Sequence, residues 1–63
     1  MREHDLVKLK ETYNDIPAGM SGTVIHLYQE EEVVEVEFVC PGFNGHPRIE
    51  TTPVKLLQVI RKK

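Results

Sequence analysis

Residues 33 to 39 read VVEVEFV, which puts Val34, Val36 and Phe38 on one side of an extended chain and Glu35 and Glu37 on the other. Successive side chains of a strand point to opposite faces. Strict alternation of this kind marks an antiparallel strand with one face in a core and the other in water. The stretch predicts an all-β fold, and the rest of the chain is read for strands that cover its apolar face.

Upstream, DLVKLK at 5–10 alternates in the same way, with Val7 and Leu9 opposed to Lys8 and Lys10. A first strand is expected there. The following ETYNDIPAGM is rich in turn formers, and Pro17 holds its own φ while pushing Ile16 towards extended geometry. Gly19 and Gly22 suit a tight turn or bulge with positive φ, and Gly22 also permits close backbone approach where the next strand starts. Pro17, Gly19 and Gly22 thus form the structural turn into a second strand at about 22–29. Its sequence GTVIHLYQ is apolar on both faces, with Ile25 and Leu27 on one side and Val24, His26 and Tyr28 on the other. Such a strand fits one that coils across a small barrel.

The acidic run Glu30, Glu31 and Glu32 then separates the second strand from the third, at 33–39. Like charges in sequence belong in water, as at a hairpin tip, and glutamate is not favoured in the tightest two-residue turns. CPGFNGHP at 40–47 supplies the next turn. A fourth strand is expected at about 47–52, with Ile49 and Thr51 opposite Glu50 and Thr52, and Pro53 stopping it. The tail VKLLQVI fits either a helical face through Leu56, Leu57 and Ile60 or an alternating strand. Seven residues are few for a helix, so the favoured reading is a short 3₁₀ turn at 53–55 and a last strand at about 56–60 laid against the first, with RKK in solvent. Together these elements predict a single domain over 1–63, a five-stranded SH3-like (KOW-like) antiparallel barrel whose near-closure removes strand edges.

The chain has 63 residues, a formal charge of −2 and a pI near 5.8. A domain of this size buries only about 60% of its unfolded surface. One cysteine, Cys40, excludes a disulfide within the chain, and the scatter of His4, His26, His46 and Cys40 does not match a zinc site. No cofactor is expected. The mild acidity argues against a broad nucleic-acid surface, because phosphate binding rests on Lys and Arg. MREHDLVKLK is charged throughout and does not read as an export signal, and no stretch approaches the roughly 20 apolar residues that cross a bilayer. A cytoplasmic location is the expectation, with an unpaired cysteine consistent with a reducing compartment.

The pattern G..GTVIHLY...EVVEVEFV, with DLVKLK before it and LLQVI after it, resembles the bacterial domain of unknown function 4926 family. That resemblance implies a small SH3-like barrel without an established activity, in which some members lie beside toxin-type genes as antitoxin-like partners. The turn PAGMSGTVI is also similar to the KOW motif of ribosomal and transcription-factor domains. KOW-type binders usually surround this loop with basic residues, whereas here it carries Asp15 and no Lys or Arg lies between Glu11 and Arg48.

No motif with a catalytic mechanism is present, and no catalytic residue is assigned. Cys40 pairs on paper with His46 or His26, but a cysteine beside Pro41 in a turn reads as a small packed residue. Glu35 and Glu37, or the acidic run, present carboxylates without the convergence a metal needs, and no metal is expected. His26 reads as a strand histidine rather than a pH-sensitive contact. Tyr13, Tyr28 and Phe43 are candidate anchors for a protein partner, since aromatics supply large contact areas; the alternative for Tyr13 and Phe43 is a lid over a barrel end. The leading expectation is a non-catalytic protein-binding module, of antitoxin-like or inhibitor type, whose carboxylates at Glu30, Glu31, Glu32, Glu35 and Glu37 face a basic partner. The second is a KOW-like RNA-binding or ribosome-associated module using Lys8, Lys10, Lys55 and the RKK tail. The third is an accessory subunit or homo-oligomer.

Overall fold

The computed structural model describes residues 1–29, 32–39 and 46–61. Five strands run β1 (Leu6–Leu9), β2 (Ser21–Leu27), β3 (Val33–Phe38), β4 (Arg48–Pro53) and β5 (Leu57–Arg61), with a 3₁₀ turn at Val54–Leu56 before the last. All pairings are antiparallel in one sheet of order β4-β3-β2-β1-β5. The fold is all-β as the alternation predicts, and the tail forms the turn and strand that its short length favours. The sheet does not close. β4 and β5 remain as edges, so the expected removal of edges does not occur.

Val34, Val36 and Phe38 point into the core as expected, with Val7, Leu9, Ile16, Val24 and Leu57 completing it. Each strand except β4 contributes an apolar residue to this cluster, and the long first loop contributes Ile16. On β4 the inward buried residue is Thr52, whose hydroxyl donates to the Glu50 carbonyl at 3.2 Å.

Two features of the first loop explain how Ile16 reaches the core. Tyr13 and Ile16 exchange backbone hydrogen bonds at 2.9 and 2.8 Å, and both residues between them have positive φ, Asn14 at 47° and Asp15 at 68°. That is the pattern of a type I′ turn, which Asn and Asp tolerate because their short polar side chains favour the left-handed region. Further on, Gly19 has φ of 91° at the return to β2. Gly22 does not share the positive φ expected of it. Its requirement is space, because a Cβ there would lie 2.6 Å from Val36 Cγ1 and 2.9 Å from Phe38 Cδ1.

The register corrects the reading of β2. Val24 lies opposite Val36, but His26 lies opposite Glu35 and Leu27 opposite Val34, so Ile25 is an extra residue in a bulge. An inserted residue reverses the side-chain parity beyond it. His26 therefore leaves the face of Val24 and joins the outward carboxylates. Strand limits also differ from those expected. β2 starts at Ser21 and ends before Tyr28, Val39 lies outside β3, Pro53 completes β4 rather than stopping it, and Arg61 belongs to β5 opposite Leu6.

Candidate partner-binding face

Cross-strand pairing gives β2, β3 and β4 a shared outward face. Glu35 stands between His26 on β2 and Thr51 on β4, and Glu37 stands between Thr23 and Ile49. Side chains directly opposite on one face of a sheet are close enough to interact. The consequence is a polar cluster that crosses the face.

Glu35 is its centre. The Tyr28 hydroxyl donates to Glu35 Oε2 at 2.8 Å, and the Thr51 hydroxyl donates to Oε1 at 2.7 Å. The Thr51 bond, then the Tyr28 bond, hold the Glu35 carboxyl below its usual range, because hydrogen bonds to the ionised form favour it. The Tyr28 phenol is raised above its ordinary value, chiefly because its proton is held by Glu35. The His26 ring meets the Tyr28 ring edge to face, with centroids 4.8 Å apart and planes at 83°. Glu3 approaches His26 Nδ1 to 3.9 Å. Beside this cluster, Tyr28, Gln29, Val33 and Thr51 line a shallow groove, and Ile49 is 52% exposed opposite Glu37. The face thus combines a fixed anionic centre with an aromatic and aliphatic border.

The candidate residues fall into distinct places. Tyr28, Glu35 and Glu37 come together on this face. Glu32 is exposed at the start of β3, and its carbonyl accepts the Val54 N–H at 2.9 Å. Tyr13 is half-buried, packs against the core, and donates its hydroxyl to the Thr51 carbonyl at 3.1 Å. It lies at the edge of β4 rather than on the outward face. Pro17 and Gly19 shape the loop and Gly22 the packing behind it. Glu30, Glu31 and Phe43 lie outside the described residues, as do Cys40, Lys62 and Lys63.

Sequence reading passed over Thr51, Asn14, Arg48 and Glu50. Asn14 Nδ2 donates to Glu50 Oε1 at 3.0 Å, Arg48 Nε donates to Glu50 Oε2 at 2.8 Å, and Arg48 Nη2 donates to the Asn14 carbonyl at 2.7 Å. The bond from Asn14, then that from Arg48, lower the Glu50 carboxyl below its usual range. The Arg48 and Glu50 spacing is legible, since residues two apart share a strand face. The Asn14 contact is not, because it depends on the fold of a distant loop.

Among the described residues no group of three or more His, Cys, Asp or Glu is placed to hold a metal ion, and no helix is long and apolar enough to cross a membrane. Comparison with family models, curated proteins and solved structures returns no match, so the family resemblance rests on the residues that carry it.

Proposed function

We propose that this chain is a non-catalytic protein-binding module that presents the outward face of β2, β3 and β4 to a basic, partly apolar surface of another protein. The observation that carries the reading is the Glu35 carboxylate, held ionised and oriented by Tyr28 and Thr51 beside exposed Ile49. Complementary charge raises encounter rates and selects partners, while the aromatic and aliphatic rim supplies contact area. Such a module acts by occupying a surface, in the manner of an inhibitor or antitoxin-like partner, and the bacterial family resemblance agrees with that role. A cytoplasmic setting belongs to the same proposal.

Capture of the tagged protein's ligands from its native lysate, with and without ribonuclease, tests the reading. A stoichiometric protein retained after ribonuclease treatment supports it. Loss of every bound component on ribonuclease treatment refutes it.

A second reading has one observation in its favour. Pairing of β1 with β5 sets Lys8 opposite Gln58 and draws Lys10 to Leu56, next to Lys55. This is the gathering of basic residues that a KOW-like RNA-binding role requires, and its mark is affinity that falls steeply with salt.

A further inference from the structure

The open sheet has two edges, and they are treated differently. At β4 the Tyr13 hydroxyl takes the Thr51 carbonyl, Pro53 offers no N–H, and Asn14 and Arg48 tie the first loop to Glu50. Covered groups and edge proline are ways in which a sheet refuses another strand. Among the described residues, nothing covers β5 in this way. In the described sheet its strand neighbour is β1 alone, and among the described residues no loop or side-chain hydrogen bond reaches residues 58–61. Gln58, Ile60 and Arg61 are exposed, Ile60 by 48%.

The charged side chains carried by β1, the 3₁₀ turn and β5 are all cations, although exposed Glu32 lies beside Lys55 through the bond from the Val54 N–H to its carbonyl and Glu11 follows Lys10. Lys8 lies opposite Gln58, Arg61 ends β5, Lys55 precedes it, and the Lys10 N–H donates to the Leu56 carbonyl at 2.7 Å. No Asp or Glu occurs in β1, the 3₁₀ turn or β5, and neither ion pair among the described residues involves these four cations.

We propose that the free edge of β5 accepts an extended acidic segment of a partner protein, added as a further strand with its carboxylates against Lys55, Arg61 and Lys8. Main-chain hydrogen bonds supply the affinity of such strand addition, and the alternate side chains supply the selectivity. A second copy of this chain fits less well, because β5 carries no carboxylate to meet Arg61 and Lys55 of another copy, whereas an acidic strand does. Single-stranded RNA also fits less well. RNA grooves stack bases on aromatic side chains, and neither β1 nor β5 contains one.

The test is amide NMR on the full chain, titrated with a short blocked peptide alternating glutamate and valine. The same peptide with lysine for glutamate, and an oligouridine RNA, are titrated separately. Strand addition predicts that the glutamate peptide shifts resonances of Leu57–Arg61 and slows exchange of outward β5 amides, while the lysine peptide does neither. The double variant Lys55→Glu, Arg61→Glu should remain folded, both residues being exposed, and lose at least several-fold in affinity. The proposal is overturned by no response at β5, by an equal response to the lysine peptide, or by RNA shifting the basic residues while the acidic peptide does not. Concentration-dependent shifts of Leu57–Arg61 without any peptide would assign the edge to a second copy instead. The outward acidic face is untouched by these variants, so failure here leaves the proposed function standing.

Discussion

Glu35 accepts a hydrogen bond on each carboxylate oxygen, from the Tyr28 hydroxyl at 2.8 Å and from the Thr51 hydroxyl at 2.7 Å. The pair Tyr28 and Glu35 joins the end of β2 to the middle of β3, and Thr51 extends the tie to β4. A single half-buried carboxylate thereby adds a side-chain tie across three paired strands, on the face proposed for partner binding.

This tie has a pH signature. Glu35 and Glu50 both have folded-state pKa values below their ordinary ones. Each therefore stabilises the fold fully above the ordinary glutamate pKa, about 4.3, and loses that contribution as pH falls through the lowered folded value. Urea midpoints should decline as pH falls below the ordinary glutamate value of about 4.3, and Glu35→Gln or Glu50→Gln should make the decline shallower. Equal slopes in wild type and variant would show that the carboxylate makes no such bonds. Tyr28 carries the opposite sign. Its raised pKa adds stability below the ordinary tyrosine value, which is lost as pH rises through the folded value, so Tyr28→Phe should flatten the alkaline limb.

Gly22 and Gly19 should respond differently to the same methyl group. Gly22→Ala forces a Cβ against Val36 and Phe38 and should cost about 1–3 kcal/mol, the range for overpacked cores. Gly19→Ala meets no atom within 4 Å, so its penalty is backbone strain alone, about 1 kcal/mol. Denaturant unfolding of both variants checks the order.

Phe38 is fully buried at the meeting of β2 and β3. Phe38→Ala should cost about 3–5 kcal/mol. A core this small supplies about the same amount. The variant should show a largely unfolded circular dichroism spectrum at room temperature, and a cooperative native-like melt would contradict the assigned core.

Tyr13 separates packing from partner binding. Tyr13→Phe removes the bond to the Thr51 carbonyl and should cost about 0.5–1.5 kcal/mol, while Tyr13→Ala should cost more by exposing core atoms. Unchanged stability in Tyr13→Ala would return this residue to the role of an exposed anchor.

The outcome on β3 was legible because its apolar set faces the core and its acidic set faces out, whereas β4 was legible only as a strand, since its apolar Ile49 faces outward opposite Glu37 and Thr52 is the residue it buries. β2 was legible as a strand but not in orientation. Its apolar residues run through both faces, and nothing local announces that Ile25 is the bulged residue which turns His26 towards Glu35. The same limit applies to the site. Glu35 and Glu37 were visible as a charged face from their spacing, whereas Thr51 looked like an ordinary strand residue and Asn14 like a turn former. Their roles arise from contacts across 16 and 36 positions of sequence, which periodicity does not encode. Asp5 was hidden for a related reason. It immediately precedes β1 in a polar stretch, yet it is buried, accepting the Arg2 N–H at 2.9 Å while its carbonyl accepts the Val24 N–H.

The proposed partner site is the outward face of β2, β3 and β4. Its most direct test is capture from ribonuclease-treated native lysate on three immobilised proteins: wild type, Glu37→Lys, and Glu11→Lys as an equal charge change off the face. A partner held on that face should be lost from Glu37→Lys and retained by both wild type and Glu11→Lys. Equal retention by Glu37→Lys, with its fold verified by circular dichroism, would contradict it.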